Sequence, residues 1–119
     1  RMNTRTGKAY TPNNTKNYEY FLRQWFIAKY PNFKTIETRV KVKIIAYFNI
    51  PKSTSKKKEA EMLLDNISPT KKPDIDNIIK IVLDAINKFA FKDDTQVTKL
   101  EIEKKYAENP KIYLRIEEY

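Results

Sequence analysis

The sequence predicts an α+β two-layer sandwich: a small mixed β-sheet with helices packed on one face, ending in a C-terminal β-hairpin. Three observations predict it. Arg39 to Ile50 alternates apolar and polar residues with period two, the mark of a strand buried on one face. Pro73 to Phe89 repeats apolar residues at helical spacing. Two further alternating runs, Thr95 to Tyr106 and Lys111 to Glu117, flank a short turn. Such elements bury their apolar faces against each other in layers, and 119 residues suffice to build a core. No internal repeat or second composition regime is visible, so residues 1–119 are expected to form a single domain.

Residues 1–14 are polar and contain Gly7 and Pro12, so they read as an extended arm or loop. Arg5 and Lys8 beside Tyr10 can grip a phosphate backbone; a solvated terminus is an equal alternative. Thr15 to Lys29 is the first helix. Tyr18, Phe21, Leu22 and Trp25 form its stripe, Asn14 or Thr15 can cap it, and Pro31 ends it. That stripe suits a core face better than a base-stacking surface. In the strand, Val40, Val42, Ile44, Ala46, Phe48 and Ile50 face inward, while Arg39, Lys41, Lys43 and Asn49 face outward.

Ser53 to Thr70 is a connection in which Ser55 to Leu64 can form a short helix capped by Ser55. Lys56, Lys57 and Lys58 sit at its start, where the helix dipole favours anions. They form either a basic flap or a solvated loop. In the helix from Pro73 to Phe89, the apolar stripe is Ile75, Ile78, Ile79, Val82, Leu83, Ile86 and Phe89. Residues four apart differ by about 40° around the axis, so Asp76, Lys80 and Asp84 share a polar ridge off that stripe. Thr98, Leu100 and Ile102 then mark the inward face of one strand and Ile112, Leu114 and Ile116 that of the next, joined by the turn Ala107-Glu108-Asn109-Pro110.

Composition excludes much chemistry. With no Cys there are no disulfides or thiolates, and with no His there is no imidazole base, no Ser-His-Asp triad and no ordinary zinc site. A lone Gly excludes a P-loop and a dinucleotide fingerprint. No run is long enough to span a membrane and no signal peptide is visible, so the expected location is the cytoplasm, with no membrane partner. The net charge of +9 favours a polyanionic partner, and it is clustered at Lys56-Lys57-Lys58, Lys71-Lys72 and Lys104-Lys105.

Carboxylates therefore carry the candidate chemistry. Asp74 and Asp76 stand at the start of the helix, and Asp93 and Asp94 stand ahead of the next strand. One Asp at a helix start is explained by capping; two, followed by Lys80 and a second acidic pair, suggest more. If the strand direction returns Asp94 to the helix start, three carboxylates converge, and their repulsion calls for a cation. Hard oxygen ligands without His select Mg²⁺ or Mn²⁺. Such a centre can activate water for phosphodiester hydrolysis, with Lys80 as a fixed positive charge.

The segment KPDIDNIIKIVLDAINKFAFKDDTQV closely resembles the core of the RusA-like Holliday junction resolvases, endodeoxyribonucleases of bacteria and prophages. GKAYTPNNTKNYE resembles that family's arm-into-helix region, PKSTSKKKEA and PTKKPDIDN its basic connection, and QVTKLEIEKKYAENPKIYLRIEEY its closing hairpin. The resemblance implies a Mg²⁺-dependent homodimer that cuts two strands of a four-way DNA junction, with no organic cofactor. It implies that Asp74, Asp76 and Asp94 bind metal, that Lys80 is the essential lysine, and that Asn77 and Asp93 support them. Lys71 and Lys72 join Lys56, Lys57 and Lys58 as expected DNA contacts. Members usually open with a strand ahead of the arm; Arg1 stands near the end of that segment, so the N-terminal strand is expected to be incomplete. Two other readings stay open: a non-catalytic basic DNA-binding module, and a metal nuclease for other branched DNA.

Overall fold

The structure, a computed structural model, describes Met2–Asn3 and residues 15–119, with side chains described from Tyr18 onward. The elements are β1 (Met2–Asn3), α1 (Thr15–Lys29), β2 (Val40–Asn49), α2 (Lys56–Leu63), α3 (Ile75–Ile86), β3 (Val97–Ala107) and β4 (Lys111–Glu118), with a 3-10 turn at Asp94–Gln96 leading into β3. The result is an α+β fold with a mixed sheet in the order β1-β4-β2-β3.

Strand β2 takes the centre because it is the most apolar: Val40, Val42 and Ile44 are fully buried on the helix side. Leu22 and Phe26 of α1 and Ile78, Val82, Ala85 and Ile86 of α3 pack onto that face. The opposite face of β2 carries Lys41 and Lys43, both ion-paired to Glu101 of β3. This matches the expected division of the strand into an apolar and a basic side.

The C-terminal strands reverse direction through a short turn as the pattern predicts, but they do not bond to each other. Strand β3 pairs parallel to β2, from Val40↔Val97 to Asn49↔Ala107. Strand β4 pairs antiparallel to the other edge of β2. The arms of the hairpin therefore bracket β2. The connection between Ala107 and Lys111 has to cross two strand spacings, about 9.6 Å, which four Cα steps reach easily. Parallel neighbours require a crossover, and α2 and α3 supply it between β2 and β3.

Helix α3 is shorter than its apolar pattern suggests. It stops at Ile86 because Asn87 turns extended, with ψ 138, and Lys88 enters the left-handed region at φ 75. Asn87 then bridges Phe91, and the chain reverses. Ile75 and Phe89, expected on the buried stripe, are exposed, while Ile81 and Ala85 are buried and Ala90 and Phe91 drop into the core. The last turn of α3 carries no basic residue of its own. Arg23 of α1 supplies that charge, donating from Nε to the Ala85 carbonyl at 3.0 Å and from Nη2 to the Asp84 carbonyl at 2.7 Å. Guanidinium bonds of this kind satisfy carbonyls that a helix end leaves open.

Two stability changes follow. Arg23→Ala should lower unfolding stability by about 1–2 kcal/mol, after discounting for partial exposure. Phe91→Ala, at a fully buried position, should cost about 3–5 kcal/mol. Urea titration with an unchanged slope checks both.

Candidate active site

Helix α3 opens on the acidic pair. Asp74 is its N-cap residue, with extended backbone, yet its side chain makes no cap hydrogen bond. The expected capping role of that carboxylate is therefore not taken up; the oxygens stay free because the first-turn amides are not bonded to them. Asp76 follows in the first turn and is exposed, as is Asn77. Among the described residues neither Asp74 nor Asp76 has an ion-pair partner. Lys80 is 76% exposed and lies 3.8 Å from Asp84, so the expected polar ridge forms, with the lysine leaning toward its C-terminal member. An exposed pair of this kind holds its lysine only weakly.

Asp94 lies elsewhere. Strands β2 and β3 are parallel, and Asp94 opens the 3-10 turn that leads into β3, whose first residue, Val97, pairs with Val40. Asp74 lies near the other end of the sheet, since the Lys71 carbonyl accepts from Lys104 Nζ at 2.6 Å. The twelve residues of α3 alone separate the two ends by about 17 Å. The conditional convergence of Asp74, Asp76 and Asp94 thus fails within one chain, and its cause is strand direction. No group of three His, Cys, Asp or Glu side chains among the described residues is placed to hold a metal ion. A three-carboxylate centre does not fit one protomer. Asp74 and Asp76 alone do fit the habit of Mg²⁺, which takes one or two carboxylates and completes its shell with water and substrate phosphate.

Asp93, the expected supporting residue, is a structural cap. Its Oδ2 accepts from the Thr95 amide at 3.2 Å, and Gln96 Oε1 accepts from the Asp93 amide at 3.0 Å, which closes a capping box. Gln96 Nε2 donates to the Ile36 and Thr38 carbonyls, tying the turn to the approach to β2. This fixes the backbone of Asp94 while leaving its carboxylate exposed and uncommitted. The spacing Asp93-x-x-Gln96 is itself a capping-box signature and could have been read from the sequence. The Thr95 side chain and then its amide, with help from Lys88, hold the Asp93 carboxyl below its ordinary 3.8.

The expected basic residues of α2 and of the approach to α3 are exposed. Lys56, Lys57 and Lys58 form the first turn of α2, which Ser55 caps by accepting from the Lys58 amide at 3.3 Å, as expected. Lys71 and Lys72 are exposed just ahead of α3. Lys104, not anticipated as a site residue, joins them from β3 and also lies 5.1 Å from the Phe48 ring. Arg5, Lys8 and Tyr10 lie outside the described residues.

Free carboxylates, an exposed lysine and neighbouring basic residues on an α+β fold suit a protein that handles a phosphodiester polyanion. Residues 1–117 match the family model described as Endodeoxyribonuclease RusA. The chain belongs to this family of endodeoxyribonucleases, hydrolases that resolve Holliday junctions. It is also similar to the uncharacterized protein YqaN of Bacillus subtilis (strain 168), at 35% identity over 121 residues, covering 99% of this chain and 85% of that protein. No solved structure matches it. No helix among the described residues is long and apolar enough to cross a membrane.

The Asp93 cap has a pH signature. A carboxyl whose folded pKa is lowered stabilises the native state above its unfolded value and loses that contribution as pH falls through the folded one. Asp93→Asn should therefore be less stable than wild type near neutrality, with the gap closing below pH 3.8; urea midpoints across that range check it.

Proposed function

We propose that the protein is a divalent-cation-dependent endonuclease that resolves four-way DNA junctions by paired phosphodiester hydrolysis, in recombination and repair of cytoplasmic DNA. Mg²⁺ is the proposed cation, with Mn²⁺ as a substitute. The observation that carries this reading is the pair of uncommitted carboxylates, Asp74 and Asp76, at the α3 entrance of a RusA-family chain. Asp74 and Asp76 would hold the cation, which when bound supplies charge neutralisation at the phosphodiester and a more acidic water.

The chain's own groups do the rest. Lys56, Lys57, Lys58, Lys71 and Lys72 hold the backbone phosphates on both sides of the cut. Lys80, 76% exposed and weakly held, is free to place its ammonium against the negative charge that builds on the phosphoryl and leaving oxygens as water adds and an ester oxygen leaves. Asn77 supports the pair by donating to substrate or water. Asp94 lies too far from Asp74 to act with it in one chain. We assign it to the partner's site: in a homodimer, Asp94 of one protomer completes the carboxylate set opened by Asp74 and Asp76 of the other. Two such composite sites match a substrate with two strands to cut.

Purified protein should nick a synthetic four-way junction on opposing strands in Mg²⁺ and leave linear duplex intact. Asp76→Asn and Lys80→Ala should each slow cleavage by roughly 100-fold or more while junction binding persists. Wild-type protein that binds the junction but never cuts it would contradict the reading. A panel with flaps and forks separates a four-way substrate from other branched DNA.

A further inference from the structure

Aromatic surface is exposed at the end of the molecule opposite the Asp74–Asp76 pair. The C-terminal ends of α1 and α3 enclose a pocket walled by Phe26, Tyr30, Phe33 and Phe89, with Ile27 and Lys88 at its sides. The rings brace one another: Phe26 lies 5.5 Å from Tyr30 and 5.3 Å from Phe33, centroid to centroid. Tyr30 remains 40% and Phe89 38% exposed. Core packing accounts for Phe26, which is buried; the Arg23 guanidinium lies over Phe89 at 5.9 Å from the ring centroid and Trp25 meets Tyr30 edge-on at 6.1 Å, yet both rings stay partly exposed.

Lys88 is the second observation. It occupies the position after the α3 C-cap at φ 75, a left-handed conformation that glycine adopts without steric cost and a lysine does not. Packing gives no reason for a lysine there: its side chain is 68% exposed and its ion pair is with Asp93 at 3.8 Å. That ion pair sets the pocket mouth beside Asp94. The surrounding charge is mixed, with Asp93, Asp94 and Glu37 among the lysines. Lys29 and Lys34 adjoin lining residues in the chain, and Lys92 is paired to Glu37 at 3.0 Å. Exposed ring surface among polar lining groups, with a cation at the lip, complements a nucleobase and its phosphate.

We propose that this pocket receives one unstacked nucleobase of the bound DNA, stacked against Phe89 or Tyr30, with the adjoining phosphate on Lys88. The proposal rests on the junction-cleaving reading and adds to it a contact that holds the branch open beside Asp94.

The test pairs protein variants with abasic DNA, measuring junction affinity by anisotropy in EDTA so that nothing is cut. Single abasic sites are placed in turn at each nucleotide of the branch. Wild type should lose about tenfold in affinity at one position. Phe89→Leu, which keeps an apolar side chain and the fold but removes the ring, should lose a similar factor on the intact junction and nothing further on that abasic one; Phe89→Tyr should behave as wild type. Lys88→Gly should melt at or above the wild-type temperature, yet bind more weakly, with the slope of log affinity against log salt reduced by about one. Losses that simply multiply at every position, or a Lys88→Gly protein with unchanged affinity and salt slope, would overturn the pocket and leave it to a protein side chain. A wild type that binds no junction would overturn the substrate reading along with it, whereas binding and cutting without coupling would remove the pocket alone.

Discussion

The parallel pairing of β2 with β3 is the constraint on which the rest of the molecule depends. Parallel neighbours cannot be joined by a tight turn, so the chain must leave the end of β2, cross the sheet and begin again at the same end where β2 began. Helix α3 makes that crossing. Its buried stripe of Ile78, Val82, Ala85 and Ile86 packs against Val40, Val42 and Ile44, and Arg23 secures its last carbonyls from α1. Everything polar on α3 is then placed by what the apolar face requires.

That placement divides the acidic residues. The α3 entrance holds Asp74 and Asp76 at the end of the sheet where Lys104 meets the Lys71-Lys72 segment, and the α3 exit delivers Asp94 to the other. A carboxylate set that spans both ends cannot close round one cation within one protomer, which is why the proposed site draws Asp94 from a second protomer. The capping box built by Asp93 and Gln96 fits this arrangement, because it holds the backbone of Asp94 still and leaves its carboxylate facing outward. Fixed backbone and uncommitted side chain are what a residue needs if its ligand arrives from another molecule.

Much of this was legible in the residues. The period-two run round Val40 to Phe48 and the stripe from Ile78 to Ile86 placed the core, and Ser55 correctly marked the start of α2. The motif round Asp74 and Lys80 pointed to the family that the whole chain matches. Strand direction was not legible, since alternation is the same in parallel and antiparallel strands, and with it went the position of Asp94 and the bracketing of β2 by its two neighbours. The end of α3 was also hidden. Phe89 continues the helical spacing, and no glycine announces the turn; Lys88 adopts the left-handed geometry in its place. Arg23 was unreadable for a different reason, because its partners are carbonyls of a helix some sixty residues away in the chain.

The most direct measurement is complementation between two inactive variants. Asp74→Asn and Asp94→Asn are prepared separately, then mixed and allowed to exchange subunits before the four-way junction and Mg²⁺ are added. If Asp94 completes the partner's site, each mixed dimer holds one intact carboxylate set, and the mixture should regain nicking of one strand that neither parent shows. If all three aspartates act within one chain, every mixed dimer carries two broken sites, and a mixture as inactive as its parents would contradict the account.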